Sequence, residues 1–472
     1  MKWRRLCKFL VFLVFIFLVN LSAQADTQIN YSYYMQIYDN KGNYLPTPEV
    51  PVEYFENPLE LQIKNGTEKN DRFMLLCVLN GKAQTFSTST IVNVKQASFE
   101  ICGNETLNPR ESLIIFDEVQ MFPRARAALK YLVADGRYDY VETGSLMSIK
   151  KNVKEITIPS EERHLKMYPM DFEEFLWALG NDTLMDLIRT CFERQKPLGQ
   201  ALHRKAMDYF RQYMIVGGMP QAVAEYVETK DFDRVDQVKR DILTLYRADI
   251  SKHAEGYEMK VESFFDEIPA QLQKHDRKFR LSALGKDARK RSYEDAIFWL
   301  RDSMIANFCF NTTEPSIGLK LNMDRMTMKC YMGDTGLLIS HAFDEKGLVS
   351  EEIYKKLLFD KLEVNIGMIM ENIVAQMLTA TGHQLYFYAN ASREDCEARM
   401  EIDFLTSKSK ITGRHNISPI EVKSSKNYTL TSLRKFMTKY TEQLHTPYVL
   451  HPSDLKVEDG IVYLPLYMTP LL

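Results

Sequence analysis

Over residues 26–108 apolar and polar positions alternate, in β-branched and aromatic segments such as YSYYMQIYD, LELQIKN, RFMLLCVLN and TIVNVKQASFEI. The turn-forming clusters NKGN, KNGTEKND and LNGK separate them, and the combination predicts a small antiparallel β-rich domain. Near Pro109 the pattern changes. The apolar strand SLIIF, the helical PRARAALKYLVADG and a second strand YDYVETGSL give an α/β alternation over 109–180. Apolar residues at helical intervals, as in KAMDYFRQYM, then predict a helical segment over 181–263. Residues 264–345 join helices to a hairpin-like stretch, which suits a winged-helix-like module. The last segment, 346–472, alternates again: helix GMIMENIVAQMLTATG, strands QLYFYA, MEIDFL and SPIEVKSS, then helix TSLRKFMTKYTEQL.

The chain's first residues have a different character. MKWRRLCK is basic, FLVFLVFIFLVNL is apolar, and AQA precedes Asp26, so residues 1–25 read as a cleavable signal peptide or, failing that, an anchor. The remaining 447 of 472 residues are of ordinary globular composition, and the whole chain carries a net charge of −3, so no global basic excess points to nucleic acid. Its seven cysteines show no metal-ligand spacing. Cys77 and Cys102 are a candidate disulfide if the β-rich segment is exported.

Two constellations carry chemistry. In SLIIFDEVQ an apolar strand runs into Asp117 and Glu118, the arrangement by which nucleotide-hydrolysing sites anchor a magnesium shell and polarise water. The next strand ends in Thr143-Gly144-Ser145, where the Ser145 hydroxyl is the candidate to meet a terminal phosphate. The partner motif GxxxxGK[ST] is missing. Gly81-Lys82 lacks the leading glycine, because Leu76 stands there, and has Ala83 where a hydroxyl is required, so it reads as a hairpin turn. In the last segment Glu371 lies on a helix, Asp403 ends a strand, and Glu421 and Lys423 share one strand face at i and i+2. That E…D…ExK order resembles the PD-(D/E)XK nuclease fold, in which carboxylates hold magnesium and the lysine orients water.

The segments SLIIFDEVQMFPRARAALKYLVADGRYDYVETGSL, YPMDFEEFLWALG, YMIVGGMPQAVAEYV and KCYMGDTGLLISHAF resemble a family of prokaryotic AAA-like ATPases. The likeness covers about residues 109–472. It implies an α/β multidomain chain: a partial P-loop AAA-type domain at 109–180, a helical lid, a winged helix and a nuclease-like domain, with the all-β domain in front. ATP and Mg are the implied cofactors, and weak nucleotide binding with little hydrolysis is expected without the phosphate loop. The run Lys274, His275, Asp276, Arg277 and Lys278, with Lys286, Arg289, Lys290 and Arg291, is the most basic stretch; Lys286, Arg289, Lys290 and Arg291 are candidate DNA contacts in the winged helix, an ordinary solvated face being the alternative. A protein partner and an oligomer are open. An ATPase body belongs in the cytoplasm, whereas the leader predicts export or membrane attachment, and a rearranged reading frame would reconcile the two. Two other readings stay open, a metal-dependent nuclease and a non-catalytic exported binding protein.

Overall fold

The computed structural model describes residues 113–117, 119, 123–144, 162–254, 256–274, 276–285, 288–316, 318–343, 366–390, 399–407, 415–425 and 427–472, together with the backbone of seven earlier strands. The leader, Glu118, Ser145 and Lys286 lie outside these residues. Among the described residues no helix is long and apolar enough to cross a membrane. The chain forms two compact units, residues 20–166 and 167–472.

In the first unit β1 (Ile37–Tyr38) pairs with β2 (Tyr44–Leu45), and β3 (Glu60–Lys64) with β4 (Asn70–Met74), both antiparallel. Five further strands share one sheet: β5 (Leu76–Leu79), β6 (Lys82–Thr88), β7 (Phe99–Cys102), β8 (Leu113–Phe116) and β9 (Asp139–Glu142), in the order β7-β6-β5-β8-β9. β5 is antiparallel to β8, whereas β8 and β9 are parallel, joined through helix α1 (Pro123–Asp135). The expected boundary at Pro109 therefore does not separate two sheets. The antiparallel strands of the β-rich stretch continue into the α/β strands, because the β8 edge accepts either direction of neighbour. The candidate disulfide residues fall on this sheet, Cys77 on β5 and Cys102 on β7 with β6 between them, and their side chains lie outside the described residues.

The second unit begins with α2 (Phe172–Ala178), whose start is written in PMDFEEF. Asp171 accepts from the Glu174 N–H, and the Glu174 side chain accepts from the Asp171 N–H, both at 2.9 Å, a reciprocal cap on exposed helix donors. Helices α3 (Leu184–Glu193), α4 (Gln200–Val216), α5 (Pro220–Thr229), α6 (Phe232–His253) and α7 (Glu258–Gln273) follow. Phe172, Phe175, Phe210 and Tyr213 form their aromatic core. After α8 (Lys290–Asp302) the hairpin β10 (Ala306–Thr312) and β11 (Met323–Met332) leads to α9 (Thr335–Ala342). Helix α10 (Ile366–Ala380) is buried from Met368 to Leu378, so it is a core helix rather than an amphipathic one.

The remaining elements are β12 (Tyr386–Asn390), β13 (Met400–Ser407), β14 (Ile417–Val422), α11 (Thr431–Lys439), β15 (Tyr448–His451), β16 (Lys456–Glu458) and β17 (Ile461–Pro465). With the earlier hairpin they build an eight-stranded sheet, β11-β10-β12-β13-β14-β15-β17-β16. The expected hairpin exists, but it is not the wing of a separate module. β10 pairs in parallel with β12, Phe310 beside Tyr386, so the sheet crosses the expected boundary at residue 345. Apolar burial explains this joint: β10 is buried along nearly its whole length, and only a neighbouring strand can satisfy its backbone there.

Candidate functional site

At the carboxyl end of β8, Asp117 Oδ1 accepts a hydrogen bond from Thr143 Oγ1, at the carboxyl end of β9. The backbone closes the same corner: the Thr143 N–H donates to Phe116 O at 2.8 Å, and the Val119 N–H donates to Thr143 O at 3.0 Å. A carboxylate and a hydroxyl thus meet beyond the ends of two parallel strands, where open α/β sheets bind ligands. Thr143 is the hydroxyl that sequence reasoning missed; TGS offered two, and only the register brings one to Asp117.

Just below, Arg126 is buried and makes two bonds to Glu162, Nε to Oε1 at 2.9 Å and Nη2 to Oε2 at 2.7 Å. Burial, with Glu162 beside it, pushes the Glu142 carboxyl up to about 7, although Arg126 at 3.9 Å pulls the other way. Lys82, the lysine nearest to a phosphate-loop pattern, opens β6 and pairs with Leu79 of β5. A phosphate cradle needs a helix N-terminus after that lysine, and here a strand begins instead.

The residues of the second constellation come together from β13, the end of β14 and α10. β13 and β14 run antiparallel with Phe404 opposite Ile420, which sets Asp403 beside Glu421. Asp403 Oδ2 accepts from the Val422 N–H at 2.9 Å. Lys423 Nζ donates to Glu421 Oε2 at 2.6 Å, while Glu421 Oε1 is buried with no partner. Glu371 reaches the same place from α10 and accepts from the Tyr331 hydroxyl at 3.0 Å.

Three more cations join the cluster, and all come from residues before α9. Lys329 of β11 is 1 % exposed and places Nζ 3.1 Å from Glu401, 3.7 Å from Glu371 and 3.7 Å from Asp403. Arg277, in the loop after α7, donates to Glu371 Oε1, and the neighbouring Lys278 lies 3.2 Å from Glu401. Burial alone would lower the Lys329 ammonium, but Glu371, Glu401 and Asp403 together hold it well above its usual value. Burial and then the Asp403 charge push Glu371 up to about 7, against the pull of Lys329 and Arg277. The same two causes push Glu421 up to about 8, against Lys423.

The basic stretch does not form one face. Arg289 and Arg291 are exposed, whereas Lys290 turns inward and sets its ammonium 5.7 Å from the Phe310 ring centre. Burial lowers its pKa, with Asp324 and Glu294 pulling the other way.

Three stretches match known family models. Residues 71–176 match an AAA domain, residues 207–346 a domain of unknown function (DUF8612), and residues 366–468 another domain of unknown function (DUF4143). The AAA match begins inside the stretch expected to be a separate β-rich domain and takes in β5–β9, the same strands that share one sheet. No curated protein and no solved structure matches the chain. The three matches together support an AAA-like ATPase-family protein.

Proposed function

We propose that this AAA-like ATPase-family protein keeps the metal-facing half of a nucleotide site and lacks its own phosphate cradle, so that it holds ATP weakly and turns it over slowly or not at all. One observation carries the reading: Asp117 and Thr143 meet at the ends of parallel β8 and β9, within the residues similar to an AAA domain. Asp117 suits the magnesium shell of a nucleotide and Thr143 suits a terminal phosphate oxygen. The lysine and backbone N–H groups that would match the remaining phosphate charge have no counterpart at Lys82, which starts a strand. The residues present therefore fit a metal–nucleotide only in part, and no hydrolytic step is assigned to them.

Losing three charge-assisted phosphate contacts, at about 1.5–3 kcal/mol each, turns a micromolar site into one weaker than about 1 mM. Equilibrium binding of a fluorescent ATP analogue to the full chain, with and without magnesium, tests this. Weak binding that depends on magnesium and vanishes in Asp117→Asn is expected. Micromolar affinity in the wild type would overturn the lost cradle, and binding indifferent to Asp117→Asn would overturn the site.

A further inference from the structure

The carboxylates of the second unit invite a divalent ion, and their surroundings argue against one. Among the described residues no group of three or more acidic, histidine or cysteine side chains is arranged to hold a metal. The reason is visible atom by atom. Glu371 spends one oxygen on Arg277 and the other on Tyr331 and Lys329. Asp403 gives Oδ2 to the Val422 N–H and turns Oδ1 towards Lys329. Glu421 gives Oε2 to Lys423, so the lysine expected to orient a water is engaged there, and of the buried carboxylate oxygens here only Glu421 Oε1 is left without a hydrogen-bond partner, too few oxygens for an octahedral ion. Magnesium would need oxygen atoms at about 2.0–2.1 Å in octahedral array. The centre that such an ion would take is held instead by the Lys329 ammonium.

Charge and packing agree with this. Four acids, Glu371, Glu401, Asp403 and Glu421, face four bases, Arg277, Lys278, Lys329 and Lys423, so the chain itself supplies a cation beside each carboxyl group. Lys329 cannot easily withdraw. It lies inside β11, opposite Cys309 of β10, between the buried Met328 and Cys330. Its ammonium also sits 5.1 Å from the Phe387 ring centre. Every exit is core.

We propose that Lys329 is the resident cation of this cluster, an ionic lock joining the β10–β11 hairpin to α10 and β13 in place of a divalent metal, and that the site is accordingly metal-independent and does not cleave phosphodiesters. The proposal is separate from the nucleotide reading, which concerns other residues in the other unit.

The test is a manganese titration of the full, chelator-treated chain, by calorimetry and by the electron paramagnetic resonance of free Mn²⁺. Asp403→Asn runs in parallel to separate this cluster from Asp117. The expected result is no sub-millimolar manganese site that Asp403→Asn removes. Lys329→Ser should then acquire one, seen as at least a tenfold gain in manganese affinity and as a thermal midpoint that rises with manganese. Sub-millimolar manganese in the wild type, lost in Asp403→Asn, would overturn the proposal. So would a folded Lys329→Ser that stays as indifferent to manganese as the wild type. Where Lys329→Ser does not fold, the wild-type titration with its Asp403→Asn control decides. Plasmid nicking in magnesium that Glu421→Gln abolishes would also overturn it.

Discussion

Glu421→Gln isolates one buried proton. The Glu421 carboxyl is 4 % exposed and one of its oxygens has no partner, while Lys423, the nearest cation, stays partly in water. Burial first and Asp403 second push this carboxyl up to about 8. In the unfolded chain it titrates near its ordinary value of about 4.3. Between those values the folded protein holds a proton that the unfolded chain has released. The stability from this group is therefore fully present below about pH 4 and is lost as pH rises through about 8. One such proton changes stability by at most about 1.4 kcal/mol per pH unit, and relaxation around the site reduces the total over the window to roughly 2–3 kcal/mol.

Glu371, pushed up to about 7, acts in the same direction over a narrower range. His451 acts oppositely: burial lowers it to about 4, so the unfolded imidazole holds a proton that the folded one refuses, and stability rises with pH from about 4 to about 6.5. The clean window for the carboxyls is therefore above pH 6.5. Urea unfolding at constant ionic strength, followed by the fluorescence of the fully buried Trp299, reads the unit that contains all three groups. From pH 6.5 to 8 the wild type should lose about 1–2 kcal/mol and Glu421→Gln at most half as much. Equal slopes in the two proteins, or a wild type that gains stability over that range, would refute the reasoning.

Other substitutions test other joints. Gly218→Ala puts a Cβ 2.2 Å from Met170 O and 2.8 Å from Met170 N, both backbone atoms that cannot swing aside. It should break the 2.7 Å Met170–Gly218 bond and destabilise by about 3 kcal/mol or more in the same urea assay, whereas Gly382→Ala, with open space and only a φ of +95° to strain, should lose about 1–2 kcal/mol. Asn372→Leu removes the acceptor of the Met332 N–H at 2.8 Å and should shift the urea midpoint by about 1–3 kcal/mol of stability. Arg126→Met strips Glu162 of a two-point partner in the first unit and should destabilise it by about 3–5 kcal/mol. Hydrogen exchange in β8 and β9 would read that loss, and unchanged protection there would count against it.

What could be read from the sequence was local. Glu421 and Lys423 two apart and Glu371 on a helix needed only the periods of strand and helix; the structure brings them together with Asp403, although Asp403 lies in the middle of β13 rather than at a strand end and Lys423 follows the last residue of β14. Asp117 ending an apolar strand was equally legible. The long-range partners were not. Arg277 stood in a run of basic residues and looked like solvated surface, yet it reaches Glu371 across 94 positions. Lys329 did leave a trace: a lone lysine in MKCYM, flanked by residues that belong in a core, is a buried charge that requires a partner. The sheet boundaries failed for a related reason. A hairpin shows its own turn and its own alternation, but nothing within it names the strand that will cover its outer edge. The hairpin at 306–332 and the strands before Pro109 each continue into a sheet that extends past the expected domain boundary.

The two constellations differ in where positive charge comes from, and that difference separates their chemistry. At Asp117 a carboxylate and a hydroxyl lie at open strand ends with no lysine from a phosphate loop, so an incoming nucleotide would have to bring its own metal and find few contacts for its phosphates. At Glu371, Asp403 and Glu421 the cations come from the chain itself, with Lys329 buried among the carboxylates. A carboxylate cluster catalyses hydrolysis when its cation is exchangeable and touches the substrate. An ammonium fixed in mid-strand is neither. The acidic residues alone look alike in both places; what differs is the chain segment that supplies the countercharge, Arg277 to Lys329, which has no counterpart in the described residues around Asp117.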